Sequence, residues 1–233
     1  MFISVLWAIS MPRDDRMLQV TELEMRMSKR IVRYDEFRKT VPILVKKYFD
    51  SPRIWLDTGC GTGGSIRDSI DIFRDTQFVL ADPSSENIEI AKHTMAGEQR
   101  CLYVTNPTER LNFGPDTLDI VTSIFSHHYY SDDEGRVTAT RNCHRMLKKG
   151  GLFIVSEHTL HPEDQEGSDA QWKAYMRDSG LPEPFVEDMI TRRYNEYFPL
   201  TEAAYIQLLN DIGFSEVGVF WSTCSDIGLY AIK

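Results

Sequence analysis

The chain has 233 residues, 26 basic against 35 acidic side chains and a net charge of −9, with 42% hydrophobic and 26% charged residues. That balance excludes a disordered, collagenous or membrane-spanning chain and offers no basic footprint for nucleic acid. The expected partner is a small molecule, with no nucleic acid and no membrane. The cysteines Cys60, Cys101, Cys143 and Cys224 are too widely spaced for a CxxC metal or redox pair. They read as reduced thiols of a cytoplasmic protein that holds no metal.

Residues 1–10, MFISVLWAIS, are apolar but lack a basic lead, a clear cleavage site and the length to span a bilayer. They read as an apolar arm or as sequence ahead of a true start at Met11. Residues 14–48 form a helical lead-in, with Tyr34, Phe37, Val41, Leu44, Val45 and Tyr48 at three and four spacing and a break expected at Pro42. A strand over 53–57 enters a glycine cluster, a helix covers 65–73, and a strand over 77–81 ends at Asp82-Pro83. Ser84 is placed to cap the next helix. Strands follow at 101–104 and 118–124. A helix over 132–147 closes with Lys148-Lys149-Gly150, cations and glycine suited to a helix C-terminus, before a strand at 152–156.

These short strands lack polar alternation, the mark of a parallel sheet covered on both faces. Residues 160–198, acidic and aromatic, read as a helical cap insert. Thr201 caps a further helix stopped by Gly213. Strands at 216–221 and 228–232 are joined by too few residues for a crossover, so the pair must be antiparallel. The expected fold is a single α/β domain over 1–233, Rossmann-like and doubly wound.

Gly59, Gly61 and Gly63 fit GxGxG, and Gly59, Gly61 and Gly64 also fit the dinucleotide pattern GxGxxG, so the glycines alone do not choose a cofactor. Either way, a strand-to-helix turn without β-carbons lets a ligand approach the backbone and the free N–H groups of the helix start. Asp82 ends the next strand, where a carboxylate can accept ribose hydroxyls. Asp57, two residues before Gly59, would repel a pyrophosphate. It suits a ligand that carries an ammonium and a sulfonium, S-adenosylmethionine (SAM), rather than NAD.

Leu56-Asp57-Thr58-Gly59-Cys60-Gly61-Thr62-Gly63, with Asp82, Asp119-Ile120-Val121 and Leu147-Lys148-Lys149-Gly150-Gly151, resembles the class I SAM-dependent methyltransferases over residues 30–233. The resemblance implies seven strands, the last antiparallel, and S-adenosylhomocysteine as the cofactor product. It implies that Gly59, Gly61 and Gly63 line the methionine moiety and Asp82-Pro83 the ribose. Tyr34 and Arg38 would close over the cofactor, and the turn carrying Phe125 would pass beneath the sulfonium. Asn106 would border the adenine where the family usually has aspartate, or else cap its loop.

A narrower likeness to the carboxy-SAM synthase branch lies in Arg38-Lys39-Thr40-Val41-Pro42, the Arg192-Arg193 region and the tail from Phe220 to Lys233. The expected activity is methyl transfer to an O, N or S atom of a small metabolite. The alternatives are carboxy-SAM-type transfer or a non-catalytic SAM-binding module. His127 and His128, after the fourth strand, are the candidate bases or else pack over the cofactor. Tyr129, Trp172, Tyr175, Arg192, Arg193 and Tyr194 are the candidate substrate contacts, with the two arginines as an anion clamp or a solvated face.

Overall fold

The computed structural model describes residues 25–233; the apolar segment 1–10 and Met11 lie outside the described residues. Residues 25–30 are helical, and Arg33, at φ 55°, turns the chain into α1, Tyr34–Tyr48. β1 (Ile54–Thr58) leads through the glycine loop to α2 (Gly64–Arg67) and β2 (Gln77–Ala81), then to α3 (Ser85–Thr94) and β3 (Cys101–Val104). β4 (Leu118–Ile124), α4 (Asp133–Met146) and β5 (Leu147–Leu160) follow. The insert forms α5 (Gln165–Asp178) and α6 (Glu183–Asn195). β6 (Leu200–Thr201), α7 (Glu202–Ile212), β7 (Glu216–Ser222) and β8 (Asp226–Ile232) complete the order.

The sheet runs β3-β2-β1-β4-β5-β8-β7, with the two-residue β6 pairing β5 off this path. β8 is antiparallel to both its neighbours, and the remaining pairs are parallel. Alternation explains why the strands read as uniformly apolar. Trp55, Phe78, Leu80, Ile120 and Ile154 pack on one face with Phe37, Val41 and Val45 of α1. Leu56, Val79, Val121, Phe153 and Leu229 pack on the other with Cys143 and Met146 of α4 and Leu209 of α7. Each face of a strand buries its own residues, so period two vanishes from the sequence.

Three expectations change. Helix α1 runs through Pro42 without a break; the buried stripe Phe37, Val41, Leu44 and Val45 carries it across the missing N–H. The helix expected over 65–73 ends at Arg67. Beyond it the chain continues as isolated turns, with Ile70 N–H on the Ile66 carbonyl and Phe73 N–H on the Ser69 carbonyl, and the Arg100 guanidinium takes the carbonyls of Ile70, Phe73 and Arg74 at 2.8–3.1 Å. Lys148 and Lys149 do not close a helix but lie in β5, where Lys148 Nζ pairs with Asp119 at 2.6 Å. The Ser84 and Thr201 caps are in place, each accepting a backbone N–H at 3.2 Å.

Candidate active site

The order of strands reverses direction between β1 and β4, and ligands of open α/β sheets sit at that crevice. There the carboxyl ends of β1, β2 and β4 border a pocket of about 810 Å³. Gly59, Gly61 and Gly63 all adopt left-handed φ values, 67°, 52° and 80°, which side-chain-bearing residues rarely take. Gly61 lines the pocket, and a Cβ built on it meets nothing within 4 Å. Asp82 faces the loop. One carboxylate oxygen accepts Gly61 N–H at 2.9 Å, and the other accepts Ser84 N–H at 2.9 Å and the Asn87 amide at 3.1 Å.

Asp57 lies beneath the loop, 1% exposed. Trp55 Nε1 donates to the Thr122 hydroxyl at 3.0 Å, which donates to Asp57 Oδ1 at 2.6 Å. Oδ2 is buried without a partner. Burial, with a lesser push from the Asp82 charge, raises this carboxyl to about 7. A buried carboxylate with one free oxygen favours a positively charged ligand.

On the far side of the pocket, Phe125 takes φ 51°, a strained backbone for a bulky residue. Its ring reaches Tyr34 at 6.4 Å, Phe37 at 6.0 Å and His158 at 5.6 Å. The next turn is organised by Glu157 of β5. Its carboxylate accepts the backbone N–H of His127 at 2.8 Å and of His128 at 2.9 Å, and meets His128 Nδ1 at 2.6 Å. Burial alone would raise Glu157, but these partners outweigh it and hold the carboxyl below its usual range. Burial also pushes the His127 imidazole down to about 4, so that ring is neutral; its Nε2 lies 3.4 Å from Thr108 Oγ1. A second pair stands beside the first: His158 Nδ1 is 2.6 Å from Asp226 Oδ1, across the β5–β8 register.

Of the residues singled out in the sequence, the pocket gathers Tyr34, Gly59, Gly61, Asp82, Pro83, Phe125, His127 and Tyr129. Asp57 and Gly63 support it from behind, and His128 is buried between Glu157 and the Tyr129 ring, 4.4 Å away. Asn106 is exposed, while its neighbours Pro107 and Thr108 line the pocket. Arg38 forms a bidentate pair with Asp68 on another groove. Arg192 pairs with Glu196 at 2.8 Å. Arg193 is fully buried, donating to the Thr159 carbonyl and ion-paired with Asp169 at 3.3 Å, and exposed Tyr194 donates to Asp169. Trp172 and Tyr175 donate to the carbonyls of Arg30 and Ser28 at 2.7 and 2.6 Å, fastening the 25–30 segment to α5. That segment supplies two pocket residues missed in the sequence, Met27 and Arg30. Among the described residues no cluster of three or more His, Cys, Asp or Glu is placed to hold a metal, and no helix is long and apolar enough to cross a membrane.

A doubly wound sheet, a left-handed glycine loop after β1 and an acidic residue after β2 are the features by which the chain resembles the class I SAM-dependent methyltransferases. Residues 56–151 match the family described as a methyltransferase domain. Over 101 residues the chain is 31% identical to a sterol 4-C-methyltransferase of Caenorhabditis elegans, spanning 43% of this chain and only 29% of that protein. It is 24% identical over 177 residues to a carboxy-S-adenosyl-L-methionine synthase of Trichodesmium erythraeum, 74% of this chain and 69% of that one. A SAM-dependent methyltransferase from Aquifex aeolicus has the same fold, with TM-score 0.57 at 16% identity over 82% of this chain and 88% of that one. The free Asp57 oxygen and the open space over Gly61 fit the charge and the close approach of SAM.

This fit has a measurable consequence. A cationic ligand near Asp57 lowers a carboxyl that stands at about 7 in the free protein, so binding releases a proton near neutrality. S-adenosylhomocysteine, which carries an ammonium, is expected to bind more tightly as pH rises from about 6 to 8. Calorimetry in buffers of different ionisation enthalpy should show the released proton, and Asp57→Asn should abolish it. An affinity flat across this range in the unmodified protein sinks the assignment.

Proposed function

We propose that the protein transfers a methyl group from SAM to an O, N or S atom of a small molecule. The observation that carries this reading is one continuous pocket: the glycine loop and Asp82 border one end, and His127, Tyr129 and Tyr130 the other. About 810 Å³ suits a small-molecule site and not a folded protein. When bound, SAM supplies an electrophilic methyl on sulfur that leaves as a neutral thioether. Gly59, Gly61 and Gly63 would seat the methionine part over Asp57, with Asp82 and Pro83 at the ribose and Asn106 toward the adenine. Tyr34 and Phe125 exclude water and hold the donor in line with the acceptor, the alignment that supplies most of such a rate. Tyr129 borders the acceptor, and Trp172 and Tyr175 hold the wall that faces it. His128, its Nδ1 engaged by Glu157, and His127, which lines the pocket, are the two candidate bases. The described cysteines are all free thiols, which suits the cytoplasm.

The likeness to a carboxy-SAM synthase supports a second reading, because it extends over 74% of this chain. That branch uses arginine to hold a carboxylate near the transferred group. Here Arg38, Arg192 and Arg193 are each engaged with a carboxylate of this chain, which favours methyl transfer. Incubating the purified chain with labelled SAM and a small-molecule extract tests this. Labelled product together with S-adenosylhomocysteine is expected. Tight SAM binding with neither formed would leave a binding module instead.

A further inference from the structure

On the β5 side of the pocket, away from Asp82, three polar atoms are buried without a hydrogen-bond partner: Arg30 Nε, His158 Nε2 and Tyr197 Oη. They share one neighbourhood. The Tyr197 ring stacks on the His158 imidazole at 4.9 Å and 26°, and the charge of Arg30 acts on both side chains. Trp172, 5.6 Å from His158, donates to the Arg30 carbonyl. This group adjoins the pocket. Arg30, Phe125 and Tyr129 line it; Phe125 touches His158, and Tyr129 meets Tyr197 edge-on at 5.4 Å. Among the described residues, the Arg30 guanidinium also meets the Met27 thioether at 3.1 Å, which is no counter-ion.

The protons follow from the partners. Asp226 accepts from the Ser225 hydroxyl as well as meeting His158 Nδ1. Burial alone would raise Asp226, but His158 and Ser225 outweigh it and keep the carboxyl below its usual range. The carboxylate therefore fixes the imidazole proton on Nδ1 and leaves Nε2 as a lone pair. Burial holds the His158 ring down at about 4 and the Tyr197 hydroxyl up at about 12, so at neutral pH one is an acceptor and the other a donor.

A lone pair on one side and a guanidinium with a phenol hydroxyl on the other complement a group that loses a proton as it reacts. A neutral amine becomes positive as it is methylated and would be opposed by Arg30. An oxyanion forming there is stabilised by both donors.

We propose that Arg30, Tyr197 and His158 form the acceptor subsite for an acidic hydroxyl, as in a phenol or an enol, and that His158 is its base. The inference rests on the methyl-transfer reading above. The acceptor O–H bond breaks and its proton passes to His158 Nε2, giving an imidazolium paired with Asp226. The freed oxygen pair forms the bond to the methyl carbon while the carbon–sulfur pair stays on sulfur. The products are a methyl ether and a neutral thioether.

The test uses the full chain, labelled SAM and a small-molecule extract, with the linkage of the labelled methyl read by mass spectrometry. An O-methyl product is expected. His158→Gln should slow its formation about 10²–10⁴-fold. Arg30→Met and Tyr197→Phe should each slow it at least tenfold, with S-adenosylhomocysteine affinity unchanged by calorimetry. Tyr197→Phe keeps the ring, so it remains informative if the His158 variant fails to fold. A labelled methyl on N, S or C overturns this inference and leaves the methyl-transfer reading standing. So does an O-methyl product formed at the original rate by Arg30→Met and Tyr197→Phe. Loss of S-adenosylhomocysteine affinity in Arg30→Met would reassign that guanidinium to the cofactor's own carboxylate and overturn the subsite. Absence of any labelled product from the unmodified chain overturns the parent reading, and the inference with it.

Discussion

Gly59→Ala is expected to lower stability by roughly 2–5 kcal/mol, while Gly61→Ala folds and instead loses its cofactor. A Cβ at Gly59 would lie 2.3 Å from Ser126 Cβ and 2.6 Å from its hydroxyl oxygen. Ser126 cannot simply retreat, because its hydroxyl is tied to the Thr58 carbonyl at 3.3 Å and to Ser123 at 2.7 Å. Overpacking of this kind costs about 1–3 kcal/mol, and the left-handed backbone adds about 1–2 kcal/mol. In a chain of this length that is a fall in Tm of roughly 4–20 °C. At Gly61 only the backbone cost applies, since a Cβ there meets no protein atom within 4 Å. The added methyl occupies pocket space instead. Calorimetry should show at least a tenfold loss of S-adenosylhomocysteine affinity, with a fall in Tm of only roughly 2–8 °C from the backbone cost. Full affinity in Gly61→Ala would mean that the cofactor does not lie over this loop.

Asp82→Ala is the second large effect. The carboxylate does two things at once: it restrains the glycine loop through Gly61 N–H, and it restrains the start of α3 through Ser84 N–H and the Asn87 amide. Removing an ionised acceptor costs about 1.5–3 kcal/mol for the hydrogen bonds it made, or roughly 10–150-fold in cofactor affinity. Thermal shift by S-adenosylhomocysteine, large in the unmodified protein through mass action, should shrink accordingly, and NAD should shift neither form. Stabilisation by NAD with none by S-adenosylhomocysteine would end the SAM assignment.

What the sequence made legible was local. Strands buried on both faces, the glycine loop after β1, the acid after β2 and the Ser84 and Thr201 caps each depend on a few adjacent residues. Three features depended on partners far away. Arg100 satisfies the carbonyls of the turns that follow α2, from about thirty residues downstream. Arg193 carries the same dipeptide signal as Arg192, yet it is buried under Trp172 while Arg192 faces Glu196. The pairing of His158 with Asp226 depends on the register of β5 against β8, which no spacing within either strand encodes. Arg30 was hidden for a similar reason. It reaches the pocket only because two donors on α5 hold its segment there.

The order β3-β2-β1-β4-β5 places the crevice between β1 and β4, so the chain needs no added segment to make a seat for the cofactor. Another part of the pocket wall comes from elsewhere, from Met27 and Arg30 of the 25–30 segment, which α5 of the insert clasps. Half of the site is therefore tied to the sheet and tolerates little sequence change, while the other half can drift without disturbing the first. Paralogues that differ in the insert alone are expected to share one donor and diverge in what they modify. Exchanging the 25–30 segment and the insert together, as one unit, is the economical way to re-aim this scaffold.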